Sequence, residues 1–336
     1  MRVLIVKLSS LGDVVHTLPV VHDMLAAHPA AAIDWVVEPG FAPVLRHVHG
    51  VSTVIECSLR RWSATWWTAG VRAEWRGFRT QLSGMRFDAV IDFQGLTKSA
   101  VIARMAQLTE HGARYGLANR TEGASHEPPA RWLVDHAIRI EPHTHALDRA
   151  RELAARALGY TVQGPPQFGL RAAANASATA AAKPQPGPPT LVFVHGTSRD
   201  DKLWPEASWA ELGRRAVAQG WRIALPQAGA VERERAERMA GALGTSAQVW
   251  PAMDLGTLVD RMGATHGVIG VDSGLSHIAV ALDLPHVQLY NVPTAWRTGP
   301  LAAHGHRHQV AVEATTAPSV DAVWAAWLQV LEARAA

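Results

Sequence analysis

The sequence predicts an α/β fold in two halves, each a parallel sheet wound with helices. Three observations carry this. Short β-branched apolar runs alternate with helical stretches, the alternation stops at an Ala/Pro-rich segment, and it restarts beyond that segment in the same order of strand, polar loop and helix. Two such halves read as Rossmann-like domains facing each other across a central cleft.

The elements follow in order. MRVLIV (1–6) is a strand, KLSSLGD a loop, and the stretch from about Val14 to His28 a helix. AIDWVV (32–37), STVIEC (52–57) and FDAVID (87–92) are strands, the last running into Phe93-Gln-Gly-Leu. RAAANASATAAAKPQPGPP (171–189) is of low complexity, and Pro184, Pro186, Gly187, Pro188 and Pro189 mark it as a linker. TLVFVHG (190–196), WRIALPQAG (221–229), GVIGVDSG (267–274) and HVQLYN (286–291) then repeat the strand-to-loop pattern. The predicted organisation is a domain at 1–170, a linker at 171–189 and a domain at 190–336, with the last helix able to pack back on the first domain. Ligands in such sheets sit beyond the carboxyl ends of the strands, so the loops there are where chemistry is expected.

Composition narrows the class. With 336 residues, 48% hydrophobic and 18% charged, the chain is not wholly disordered. Its one cysteine, Cys57, excludes an internal disulfide framework and a Cys-cluster zinc site. No apolar run approaches the roughly 18 residues of a membrane span, and Lys7 interrupts the apolar start too early for a signal peptide. A cytoplasmic protein is expected. None of the 17 histidines shows metal-ligand spacing, so no metal is expected.

The net charge of +3 is concentrated. Arg60, Arg61, Arg72, Arg76, Arg79 and Arg86 share the stretch 60–86 with one acid, Glu74, and with Trp62, Trp66, Trp67 and Trp75. Such a stretch suits an anionic partner or an anionic membrane surface. A solvated arginine face over inward-packed tryptophans explains it equally well.

Three loops hold candidate chemistry. After the first strand come Lys7, Ser9, Ser10, Gly12 and Asp13; Asp13 reads as a helix cap or as a general base beside the Lys7 cation. His195-Gly-Thr-Ser-Arg-Asp-Asp-Lys offers Thr197, Ser198 and Lys202 to phosphates, without the glycine spacing of a Walker loop. Val271-Asp272-Ser273-Gly274-Leu275-Ser276-His277 ends a strand and opens a helix, either as an Asp-Ser cap or as a pyrophosphate seat. Ser273 lacks the surroundings of a hydrolase nucleophile.

Together these loops closely resemble the ADP-heptose:lipopolysaccharide heptosyltransferases, which are GT-B glycosyltransferases. The resemblance is carried by MRVLIVKLSSLGDVVHTLPV at the start, DWVVEPGF (34–41), RRW (60–62), FDAVIDFQGLTKSA (87–100), HALDRARELAARALGY (145–160), GTSRDDKLWPEASW (196–209) and GVDSGLSHIAVAL (270–282). DWVVEPGF with RRW is most similar to the branch that adds the first heptose to Kdo on lipid A.

The resemblance implies a donor site in the second half. Thr197, Ser198 and Lys202 would hold the diphosphate of ADP-L-glycero-D-manno-heptose, Glu232 would meet the ribose, and Met253 would lie near the nucleotide. Asp272, Ser273, Gly274 and His277 would cradle pyrophosphate and heptose. Asp13 would be the catalytic base with Lys7 beside it, while Arg60, Arg61 and Arg120 would meet the anionic acceptor, Kdo2-lipid A. An inverting displacement without metal or other cofactor is implied, on the cytoplasmic face of the inner membrane, with no nucleic-acid partner. The chain departs from the family pattern at Ala64 (often Lys), at Ser198 and Ser273 (usually Thr), and around Tyr290-Asn-Val-Pro-Thr, where Tyr-Gly-Pro-Thr is usual.

Overall fold

The computed structural model describes residues 1–172 and 187–335 and divides the chain into two units, Met1–Leu170 and Arg171–Ala336. Most of the predicted linker 171–189 lies outside the described residues.

The first unit holds six strands: β1 (Arg2–Val6), β2 (Ala32–Val37), β3 (Val51–Glu56), β4 (Arg86–Asp92), β5 (Gln107–Leu117) and β6 (His136–Ile138). They pair in parallel in the order β3-β2-β1-β4-β5-β6. β1 is central, with Val3 opposite Ile33 on one side and Ala89 on the other. Covered on both faces, it reads as an unbroken apolar run, and Val3, Leu4, Ile5 and Val6 are all fully buried.

The predicted helix 14–28 is two helices, Leu11–Thr17 and Pro19–Ala27. Pro19 has no N–H to donate and fits the first position of a new helix, so the chain turns at Leu18. The first helix also begins three residues early, because Asp13 accepts from the Ser10 N–H and caps it.

The second unit repeats the plan with β7 (Thr190–Val194), β8 (Arg222–Leu225), β9 (Ala247–Val249), β10 (Gly267–Val271), β11 (His286–Tyr290) and β12 (Gln309–Glu313). Its order is β12-β11-β10-β7-β8-β9, the same winding as the first unit when strands are counted within each. Leu191, Phe193, Trp204, Trp209, Ile269 and Trp327 share its core. The last helix, Val320–Ala335, packs on β11, β12 and the helix Glu206–Ala218 of its own unit. Trp327 there lies where any side chain at Gly267 would stand.

Four strands, β5, β6, β9 and β12, escape the sequence pattern. β5 runs Gln-Leu-Thr-Glu-His-Gly-Ala-Arg-Tyr-Gly-Leu and is mostly half-exposed; β6, β9 and β12 are edge strands, where one-sided burial needs few apolar residues. In each unit the winding reverses between the first and fourth strands. The loops after β1 and β4, and after β7 and β10, therefore stand at the switch point where open α/β sheets bind ligands.

Candidate active site

Backbone anchors fix the loop after β1. The Leu8 and Ser9 N–H groups donate to Gln94 Oε1 at 3.2 and 3.3 Å, and the Trp35 indole donates to the Lys7 carbonyl at 3.1 Å. Lys7 is buried, and its ammonium donates to the Phe93 carbonyl at 3.2 Å and lies 3.7 Å from Asp13 Oδ1. The two oxygens of Asp13 divide the work: Oδ2 accepts from the Ser10 N–H (3.1 Å) and hydroxyl (2.9 Å), and Oδ1 faces Lys7. Cap and charged carboxylate are thus one residue. Its side chain is 39% exposed, so a substrate hydroxyl can reach it.

Electrostatics keep this carboxylate ionised. Burial works to raise the Asp13 carboxyl, but Lys7, the Ser10 donors and Arg149 together hold it below its ordinary value. Burial lowers the Lys7 ammonium, with Asp13 opposing. A cavity of about 10 Å³ behind them, lined by Lys7, Asp13, His16, Thr17, Phe93 and Arg149, has room for about one water.

The three arginines expected at the acceptor differ. Arg60 lies 3.3 Å from Glu38, and Arg61 forks onto Glu74, which also accepts from the Trp62 indole at 3.0 Å. Arg120, exposed in the loop after β5, has no ion-pair partner among the described residues. The tryptophans of 60–86 also divide. Trp62 is 4% exposed and packs edge-on to Trp75, whereas Trp66 and Trp67 are 50% and 71% exposed beside the solvated Arg72, Arg76 and Arg79. Inward packing therefore holds for Trp62 and not for Trp66 or Trp67.

In the second unit the donor candidates converge on Asp272. The Lys202 ammonium donates to its Oδ2 at 2.6 Å, His277 Nε2 lies 3.4 Å from its Oδ1, and Thr197 Oγ1 donates to its carbonyl at 3.2 Å. Burial works to raise the Asp272 carboxyl; His277 and Lys202 outweigh it and hold the group well below the carboxylate range. The helix Gly274–Ala281 opens directly after, with Ser273 at its cap, and the Ser273 hydroxyl makes no capping hydrogen bond. Its oxygen is buried and unpartnered, at a helix N-terminus that favours anions. Close packing builds the seat: Ser276 Oγ donates to the Val271 carbonyl and fills the space beside Gly270.

Glu232 reaches this loop from the helix Ala230–Leu243, accepting from the Ala228 N–H at 2.7 Å while its carboxylate rests on Gly196. Ser198 is exposed, and Met253 is half-buried in the loop after β9.

The structure adds residues that the sequence reading passed over. Arg149 is buried in the helix Ala146–Leu158 beside Lys7 and Asp13, its guanidinium donating to Thr121 Oγ1 at 3.2 Å. Asp92, at the end of β4, accepts from the Gln94 and Gly95 N–H groups and the Ser99 hydroxyl, shaping the loop that anchors Lys7. Asn291 binds the backbone around Lys202. Arg149 and Asp92 lie within the quoted motifs, but their roles depend on contacts between segments far apart in sequence.

Comparison with known proteins gives a consistent answer. Residues 75–322 match the model of glycosyltransferase family 9 (heptosyltransferase). The chain is 39% identical over 300 residues to lipopolysaccharide heptosyltransferase 1 of Pseudomonas aeruginosa, covering 89% of this chain and 81% of that protein. It is 40% identical over 291 residues to the protein of the same name from Escherichia coli K12, covering 86% and 88%. Its fold matches the E. coli heptosyltransferase WaaC with ADP at a TM-score of 0.82 and 34% identity, over 99% and 100% of the two chains. WaaC with ADP-2-deoxy-2-fluoro heptose matches at 0.78, with 34% identity and both chains fully covered.

Proposed function

The chain belongs to glycosyltransferase family 9, and from that premise we propose that it transfers L-glycero-D-manno-heptose from ADP-heptose to the Kdo of Kdo2-lipid A in lipopolysaccharide core assembly. The observation that carries this reading is the likeness, along most of the chain, to proteins named lipopolysaccharide heptosyltransferase 1.

The first unit supplies the base. Asp13, ionised beside Lys7, takes the proton of the acceptor hydroxyl as its oxygen attacks the anomeric carbon, which passes through an oxocarbenium-like state. The C–O bond to ADP breaks with inversion. Lys7 is buried against Asp13, so its role here is to keep the base ionised.

The second unit holds the leaving group. Negative charge grows on the diphosphate, and the Lys202 ammonium, the Thr197, Ser198 and Ser273 hydroxyls and the helix terminus at Gly274 meet it. Asp272 and His277 orient Lys202 and the heptose, and Glu232 and Met253 take the nucleoside. The Lys202 ammonium and the helix terminus at Gly274 supply the positive charge, so the reading assigns no metal.

Arg60, Arg61 and Arg120 face the carboxylates and phosphate of the acceptor. Exposed Trp66 and Trp67 among arginines fit the anionic headgroup layer that holds a lipid acceptor, giving a peripheral protein on the cytoplasmic face of the inner membrane. Among the described residues no helix is long and apolar enough to cross a membrane.

The deciding experiment is a mass spectrum of Kdo2-lipid A after incubation with the protein and ADP-heptose in EDTA. A gain of one heptose is expected. No gain, with ADP-heptose still bound by calorimetry, would move the acceptor to a later core sugar; no binding would remove the donor assignment. Asp13→Ala is expected to lose on the order of 10²–10⁴-fold in turnover, and a loss below tenfold with the fold intact would end its role as base.

A further inference from the structure

We infer that Asn291 is a positioning residue for Lys202, holding the lysine's turn in the place from which it meets the diphosphate; this rests on the donor reading of the second unit.

Lys202 ends a single 3-10 turn, Asp200–Lys202, in which the exposed Asp201 pairs with the exposed Arg199 at the turn's cap. The turn's own backbone bonds are short-range, from Lys202 N–H to the Arg199 carbonyl and from Leu203 N–H to the Asp200 carbonyl, both 3.1 Å. Neither bond fixes where the turn stands on the sheet. Asn291 does. Its Nδ2 donates to the carbonyls of Asp201 and Leu203, each at 2.9 Å, one on either side of Lys202.

Asn291 follows β11 directly, and β11 also fixes the partner of Lys202. The Asp272 N–H donates to the Leu289 carbonyl at 3.1 Å, two residues before Asn291. One strand end therefore sets both members of the Lys202–Asp272 pair, one through its backbone and the other through an amide side chain. The chemistry requires an amide. A single Nδ2 carries two N–H donors for two carbonyls, whereas glycine has no side chain and aspartate would aim an oxygen at both.

The test is a double-mutant cycle on ADP affinity, measured by calorimetry on the full-length protein for wild type, Asn291→Ala, Lys202→Ala and the double variant. Lys202→Ala is expected to weaken ADP more than tenfold. Losing both donors in Asn291→Ala should weaken it roughly five- to tenfold. The double variant should bind no more weakly than Lys202→Ala alone, because Asn291 acts through the lysine. Asn291→Leu, close to asparagine in shape but without donors, should match Asn291→Ala and separates lost hydrogen bonds from lost volume. Wild-type affinity in either Asn291 variant, or losses that multiply in the double, would overturn the inference while leaving the donor site standing. Wild-type affinity in Lys202→Ala would overturn the donor reading, and the inference with it.

Discussion

Asp13 Oδ1 faces the buried Lys7 ammonium at 3.7 Å while Oδ2 caps its own helix. The lysine offsets the effect of burial, which alone would raise the Asp13 carboxyl above its ordinary value of about 3.9. Lys7→Met keeps the aliphatic stem and removes the charge. Its expected result is an acid limb of the pH–rate profile moved up by about a unit or more, with turnover recovering as pH rises. Equal loss at every pH would assign Lys7 to the acceptor instead.

Gly196 lies under the Glu232 carboxylate, and a Cβ there would overlap it. The overlapping atoms are the far end of a flexible side chain, so Gly196→Ala is expected to displace Glu232 at little cost in stability. ADP affinity should then fall by about tenfold, as in Glu232→Ala. Calorimetry and a melting curve check it; a large fall in melting temperature with unchanged affinity would contradict it.

Burial lifts the Asp92 carboxyl to about 6, against its hydrogen bonds to Gln94, Ser99 and Gly95. Because the folded value exceeds the unfolded one, the native state holds the proton more tightly, and stability falls as pH rises from about 4 to 6, by on the order of 2–3 kcal/mol. Asp92→Asn keeps an oxygen for the two N–H groups and can donate to Ser99 Oγ. Its denaturation midpoint should be flat across that window and should exceed wild type above it. Parallel curves for the two proteins would contradict the assignment.

Arg151 and Asp23 form a buried bidentate pair, with contacts of 2.7 and 2.8 Å, that ties the helix Ala146–Leu158 to Pro19–Ala27. Arg151→Ala leaves a buried carboxylate without its cation and should cost about 3–5 kcal/mol. Removing both charges with Arg151→Met and Asp23→Leu should cost less. Chemical denaturation of the single and double variants checks the order.

The sequence by itself determined the winding and the location of the chemistry. Val3–Val6 and Gly267–Val271 read as strands because a strand covered on both faces is apolar throughout. The loops at Lys7–Asp13, Thr197–Lys202 and Asp272–His277 followed from where such strands end. Only the tertiary structure decided which groups meet. The pairings of Lys202 with Asp272 and Arg61 with Glu74, like the seating of Glu232 on Gly196, join residues whose spacing along the chain reflects no repeat of helix or strand. Half-exposed β5 and the edge strands stayed hidden for a related reason: backbone pairing with a neighbour makes them strands, and their own side chains need carry little of the signal.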